Sequence, residues 1–400
     1  MNPRFALVLA GGGARGAYEA GVLRFILGDL PGRIGHPVSA DLICGSSVGA
    51  INGSAIAAWN GSPEGPEELT DFWTSLACED VYRFEALDLL RSPMRVLRGP
   101  ASNEMAWVDA RPLHTLMRET FPWQQLHEVI DSGRLQALVL TATEVATGHC
   151  IQFIDGQIDQ DSLGSHTGIR RVFSRMGPEH VLASCAIPFL FPPVDIDGQP
   201  MVDGSLRQNT PLSPALRLGA EHILVVGTRQ QKMEAVSSED ALDLQDLQDL
   251  QDLPSTPALL GKALNALLLD PVHQDLARVD LINRILEFGT DEFGGDFVER
   301  LNTRLAETLT RRLRSVDTLC IHPSEDLGRM AAAAYDPKTI KATRGTKFML
   351  SAVAGDSQES DLLSYLLFDA SYTKAVEDLG YNDAMARETE IIRFLERARR

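Results

Sequence analysis

The sequence predicts an α/β protein with a mostly parallel central sheet, carrying a helical cap and a helical C-terminal extension. Three observations predict it. Short, continuous apolar runs recur at Phe5–Ala10, Asp41–Cys44, Leu135–Thr143, His222–Gly227 and Val316–Pro323. Such runs read as strands buried on both faces, the condition of a parallel sheet covered by helices. The first two end in glycine-rich turns, Gly11–Gly16 and Gly45–Gly49, and each turn opens a helical stretch.

In chain order, the first strand passes through Gly11-Gly12-Gly13-Ala14-Arg15-Gly16 into a helix from Ala17 to about Leu27. The second runs into Gly45-Ser46-Ser47-Val48-Gly49 and the small-residue helix after it. Residues 60–130, with Trp73, Trp107 and Trp123, read as a helical layer over the sheet. Phe84, Leu87 and Leu90 recur there at helical spacing, and Arg91, Arg95, Arg98, Arg111 and Arg118 make it locally basic. Its sharper reading is a cap that lines an acyl pocket and touches lipid headgroups. Cys150–Ile154 reads as the antiparallel partner of Leu135–Thr143, whereas residues 155–178 are polar and give no pattern. Val181–Ile187 is a helix stopped by Pro188, and Asp197-Gly198 between extended residues is a two-residue hairpin signal. The returning strand ends at Asp203-Gly204, and a helix starts near Asn209-Thr210-Pro211-Leu212.

Three parts are therefore expected. Residues 1–230 form the core, with the cap at about 60–130. Residues 231–256 are an acidic low-complexity insertion in which Leu-Gln-Asp recurs from Leu244 to Asp252. Residues 257–400 are mainly helical and return one strand, about 316–322, to the same sheet, which argues against an independent C-terminal domain.

Composition excludes several functions. A net charge of −18 argues against nucleic acid, because a polyanion needs a basic face. The five cysteines are scattered, with no Cys-x-x-Cys spacing, so reduced and buried thiols are expected. No His-Glu-x-x-His or other metal motif occurs, and neither metal nor cofactor is expected. The apolar run before Gly11 is short for a secretion leader, and none reaches the roughly 18 residues of a membrane span. A cytoplasmic protein is expected, with peripheral membrane contact at most.

The chemistry concentrates at two turns. Gly45-x-Ser47-x-Gly49 between strand and helix is the context of a nucleophile elbow. Glycines at 45 and 49 permit a strained turn, and the helix N-terminus stabilises a developing alkoxide. Gly11–Gly16 also fits the Gly-x-Gly-x-x-Gly dinucleotide pattern, but the next strand ends in a serine elbow instead of a ribose-binding acid. The alternative is an oxyanion hole, in which the N–H groups of Gly11, Gly12, Gly13 and Gly16 converge on one oxygen. Arg15 would add positive potential or tie the loop down. Asp203, before a glycine at a strand end, reads equally as a turn former or as an acid of the site.

These features in this order resemble the patatin-like phospholipase family of bacterial type. So does Ala183-Ser184-x-Ala186-x-Pro188-x-x-Phe191-Pro192-Pro193 upstream of Asp203. Ser205 departs from the family pattern, which often has glycine or alanine there. The resemblance implies a three-layer α/β/α sandwich and a Ser47–Asp203 dyad without histidine. It also implies metal-independent hydrolysis of acyl esters in phospholipids or other acyl lipids. Two alternatives stand beside it: a Ser-His-Asp esterase using His222, His273 or His322, and a silent binding module that keeps the fold.

Overall fold

The computed structural model describes residues 4–84, 108–158, 167–230, 272–306, 312–354 and 361–399. Leu87, Leu90, Trp107, the arginines at 91, 95 and 98, and the Leu-Gln-Asp repeat lie outside these residues.

Nine strands form one mixed, mostly parallel sheet: β1 (Phe5–Leu9), β2 (Leu42–Ser46), β3 (Ala137–Glu144), β4 (Cys150–Gly156), β5 (Ile169–Phe173), β6 (Val194–Ile196), β7 (Gln199–Asp203), β8 (His222–Val226) and β9 (Asp317–Ile321). The order is β5-β4-β3-β2-β1-β8-β9, with the β6–β7 hairpin joined to β3. From β3 through β2, β1 and β8 to β9 every neighbour is parallel, with Val8 opposite Cys44 on one side and Val225 on the other. β4 and β7 both pair antiparallel with β3. The expected hairpin is present, with Asp197 and Gly198 both at positive φ, the backbone a tight two-residue turn needs.

Alternation along the strands builds two cores, one on each face. Phe5, Leu7, Leu9, Ile43, Leu138 and Leu140 face the first helical layer, where Tyr18, Phe25 and Trp73 are buried. Ala6, Val8, Leu42, Cys44, Val139 and Ile223 face the other, against the helices Leu212–Leu218 and Val272–Phe293. This is the three-layer α/β/α arrangement.

The C-terminal part enters both sheet and helical layer. β9 extends the sheet beyond β8, and the helix Ala370–Ala386 lies along Gly16–Leu23. The two helices meet backbone to backbone: a methyl on Gly21 would stand 1.8 Å from the Glu377 carbonyl, and one on Gly380 2.1 Å from that of Tyr18. The last helix, Glu388–Arg399, buries Ile391, Phe394 and Leu395, with Phe394 edge-on to Phe5.

Two sequence expectations are corrected. The first helix is not uniform from Ala17 to Leu27. It runs Gly16–Leu23, widens to a π-helical stretch over Arg24–Asp29 and continues through Leu30–Ile34. Pro31 accounts for the widening, since its ring clashes with the carbonyl four residues back and it donates no hydrogen bond. Second, residues 155–178 contain β5, parallel to β4. It is an edge strand with half-buried residues and two arginines, Arg170 and Arg171. Edge strands tolerate charge and lack the apolar run that marks an interior one.

Candidate active site

Chain order runs β1, β2, β3 to one side of the sheet and β8, β9 to the other, so the direction changes at β1. The crevice beyond the carboxyl end of such a strand is where open α/β sheets bind ligands. The glycine loop leaves β1 there, and the serine turn leaves β2 beside it.

Ser47 caps the helix Val48–Ala58 with φ 51° and ψ −124°, strained for a residue with a side chain. The close passage of this turn dictates the glycines around it. A methyl on Gly49 would stand 2.4 Å from the Leu9 carbonyl oxygen, and one on Gly45 2.2 Å from that of Gly49. The strained backbone is held from outside. Ser47 N–H donates to Ser184 Oγ (2.9 Å), Ser184 donates to the Thr141 carbonyl (2.6 Å), and the Cys185 thiol donates to the Ser47 carbonyl (3.1 Å). The Ala183–Phe191 motif thus acts through Ser184 and Cys185.

Asp203, at the end of β7, is fully buried. Its backbone is fixed by N–H donation to the Ala186 carbonyl (2.9 Å) and by Thr143 Oγ1 donating to its own carbonyl (3.0 Å). The side chain then has no freedom of approach. Oδ2 accepts the Ser47 hydroxyl at 2.6 Å, and Oδ1 accepts the Ser205 backbone N–H at 2.8 Å. Burial pushes the carboxyl up to about 6, against the lowering effect of the Ser47 and Ser205 hydrogen bonds.

The six residues of the glycine loop divide by role. Gly11 donates its N–H to the Asn209 carbonyl (2.9 Å), and Gly16 N–H returns to Gly13 and Ala14, so neither is an open donor. The N–H groups of Gly12 and Gly13 make no hydrogen bond among the described residues. Gly13 takes φ 58° and passes so close to the Tyr365 carbonyl that a methyl would stand 2.3 Å from it. Arg15 ties the loop down. Its guanidinium donates to Ser364 Oγ (2.7 Å), pairs with Asp361 Oδ1 (2.8 Å) and lies 4.2 Å from the centre of the Tyr365 ring. Its bonds thus run to the C-terminal helix Asp361–Leu366, and the expected oxyanion set narrows to Gly12 and Gly13.

Behind the loop lies a network that sequence reading missed. Asn52, one turn into the helix after Ser47, donates to the Gly16 carbonyl (3.0 Å) and to Glu19 Oε2 (2.8 Å), and accepts from Trp73 Nε1 (2.8 Å). Burial raises the Glu19 carboxyl well above the ordinary carboxylate range, against the lowering effect of the Asn52 hydrogen bond. Polar residues among alanines and glycines give no periodic signal, so only their burial reveals them.

Ser47 opens into a narrow apolar cavity of about 30 Å³. Ile51 and Val48 line it from the helix after Ser47; Phe72, Trp73, Leu113 and Leu116 line it from the 60–130 layer. The Ser47 hydroxyl is thus the polar end of an otherwise greasy hollow. Two of the histidines considered for a triad have other partners. His222 starts β8, at the opposite end of the sheet from Ser47, with Nδ1 3.4 Å from Asp317 Oδ2. His322 follows β9 and meets Cys320 Sγ at 3.0 Å, and His273 lies in the helix Val272–Phe293.

Comparison with known proteins places the chain. The family model described as patatin-like phospholipase matches residues 7–216. Among solved structures, VipD from Legionella pneumophila aligns over 98% of this chain and 67% of its own, at 11% identity and a TM-score of 0.37. Human GIVD cytosolic phospholipase A2 aligns over 99% of this chain and 60% of its own, at 12% identity and a TM-score of 0.43. The chain therefore spans three fifths to two thirds of the length of those structures. The family match extends over more than half of the chain, from β1 through the serine turn to the aspartate and the helix beyond it, and this protein belongs to the patatin-like phospholipases, a family of lipid acyl hydrolases.

Proposed function

We propose that this protein is a metal-independent serine hydrolase of the phospholipase A or lysophospholipase type, with Ser47 as nucleophile and Asp203 as its base. The observation that carries the reading is the 2.6 Å hydrogen bond from Ser47 Oγ to Asp203 Oδ2 at the floor of an apolar cavity. A free aspartate is a weak base for a hydroxyl, and burial corrects this by bringing the carboxyl to about 6, nearer the working pH.

In this reading the acyl chain lies against Ile51, Phe72 and Leu116, and the ester carbonyl reaches Ser47. Ser47 Oγ attacks the carbonyl carbon while its proton passes to Asp203 Oδ2. The oxygen that becomes negative is held by Gly12 and Gly13 N–H and by the N-terminus of the Val48–Ala58 helix. Collapse breaks the bond to the leaving alkoxide, which takes the proton from Asp203. Water then attacks the acyl-serine, Asp203 accepts its proton, and Ser47 departs with that proton as the fatty acid is released. We take residues 257–400 as integral to the same unit, because Arg15 and β8 find their partners there. No helix among the described residues is long and apolar enough to cross a membrane, and the substrate is reached by peripheral contact. The proposed headgroup arginines 91, 95 and 98 lie outside the described residues.

The test is fatty-acid release from mixed phospholipid vesicles with EDTA present, comparing wild type with Ser47→Ala and Asp203→Asn. Release abolished in both variants supports the dyad. Release unaffected by Asp203→Asn removes it. Loss on His322→Ala, with Asp203→Asn active, transfers the assignment to a triad.

A further inference from the structure

Several buried hydroxyls around the catalytic cluster lack a well-formed hydrogen bond, Ser46, Thr141 and Ser205 among them. Ser205 is buried, and its backbone N–H is committed to Asp203 Oδ1. The hydroxyl nevertheless stands in the site. It is close enough to the Asp203 carboxyl to favour its ionised form. A methyl built on Gly11 would lie 2.2 Å from Ser205 Oγ and 3.2 Å from Ser47 Cβ, which places the hydroxyl beside the nucleophile as well. A buried hydroxyl without a partner is costly in a resting protein. A demand elsewhere in the reaction cycle gives it a reason.

That demand follows from the proton count, given the Ser47–Asp203 reading above, on which the inference rests. In the resting site Asp203 has two well-formed donors, Ser47 O–H on Oδ2 and Ser205 N–H on Oδ1, with the Ser205 hydroxyl near the carboxyl but not aligned on it. Acylation forms the bond from Ser47 Oγ to the acyl carbon, breaks the bond to the leaving oxygen, and sends the serine proton through Asp203 to the leaving group. The acyl-enzyme then has no hydrogen on Ser47 Oγ, and a buried carboxylate retains one backbone donor. We propose that Ser205 is a positioning residue for Asp203, its hydroxyl turning onto the carboxylate in the acyl-enzyme and keeping it ionised until water arrives.

Thr141 Oγ1 and Ser46 Oγ also lack a partner, but of these hydroxyls it is that of Ser205 that acts on the Asp203 carboxyl. Facing the carboxyl are Ser47 from the end of β2 and the Cys185 thiol from the end of the helix Pro178–Ser184, a thiol that burial and then Asp203 itself push far up. Glu144 on β3 is paired with Arg170, and Arg207 on the helix after Asp203 donates to the Gly148 carbonyl.

The experiment is the pH dependence of kcat for a short soluble p-nitrophenyl ester in wild type, Ser205→Ala, Ser205→Gly and Ser205→Thr. Losing the hydroxyl should move the acid limb of kcat upward by about half to one pH unit, the scale of one hydrogen bond to a carboxylate. The rate at high pH should stay within a few-fold of wild type, and Ser205→Thr should restore the limb. A purely structural hydroxyl would leave the limb in place and would only shift the melting temperature. An unmoved limb in a folded Ser205→Ala or Ser205→Gly protein overturns the proposal while the dyad stands. Full activity in Asp203→Asn would overturn the dyad itself, and the role of Ser205 with it.

Discussion

Replacing Asp203 by asparagine should abolish activity and raise stability at neutral pH, with a defined pH signature. The carboxyl is fully buried, and its desolvation moves it from an ordinary value of 3.8 to about 6 in the fold. Two units at 1.36 kcal/mol each amount to about 3 kcal/mol. The sign follows from the direction. A raised acid favours folding fully below its unfolded pKa, and that contribution is lost as pH rises through the folded value. At pH 8 the wild type therefore bears the whole cost of a buried carboxylate. By pH 5 roughly 1.4 kcal/mol of it is recovered, and the rest returns below about pH 4. Asparagine does not titrate, so the stability margin of Asp203→Asn over wild type should narrow by that roughly 1.4 kcal/mol from pH 8 to pH 5. Urea unfolding followed by tryptophan fluorescence at half-unit steps measures it. Changes in hydrogen bonding shift the two proteins apart equally at every pH and cancel from the slope. A margin that is flat with pH would falsify the claim that burial poises this carboxyl.

Further expectations concern the frame of the site. Gly49→Ala places a methyl against the Leu9 carbonyl, and backbone cannot yield as a side chain does, so soluble folded protein should fall sharply in expression and thermal-melt assays. Ile51→Trp, deep in the cavity, should raise KM for long-chain esters at least tenfold while short esters keep their turnover; equal losses on both would mean that the cavity does not hold the acyl chain. Glu19→Gln should keep activity and stay within about 1 kcal/mol of wild type, because burial disfavours the charged carboxyl and the amide oxygen can still accept from Asn52. Asn52→Leu strips three hydrogen bonds at once and should cost about 3 kcal/mol or more by denaturant unfolding.

The interior of this fold is legible because its signals are local. Phe5–Leu9 and Ala137–Glu144 are apolar throughout, since they are covered on both faces, and Asp197-Gly198 specifies its own turn. The serine turn reads from sequence for the same reason: glycines at 45 and 49 mark a turn too tight for other residues. What escaped is long-range. Ser184 supports Ser47 across 137 residues, and Arg15 finds Asp361 and Ser364 nearly 350 residues on. Neither pairing leaves a trace in spacing. The glycine loop shows the limit most clearly. Its residues give no order of role in sequence, and only the bonds of the Gly11, Arg15 and Gly16 N–H groups separate spent donors from the open ones of Gly12 and Gly13.

Three unfavourable features of this molecule meet at one place. Ser47 holds a positive φ, Asp203 is a carboxyl without a cation, and Ser205 carries an unpaired hydroxyl. Each is costly alone, and each is held by groups that could not relax separately. Ser184 and Cys185 fix the serine backbone; Ala186 and Thr143 fix that of the aspartate; all four stand on β3 or on the chain leading from the helix Pro178–Ser184 toward β6. One rigid support therefore sets both partners, and the 2.6 Å contact between them is a consequence of that shared frame. Arginine 15 and the C-terminal helix do the same for the opposing wall, so that the open N–H groups of Gly12 and Gly13 stand on a loop clamped from behind. On the proposed mechanism, a site assembled this way needs no movement of its own backbone to meet a developing negative charge. Preorganisation of that kind is the physical return on the strain.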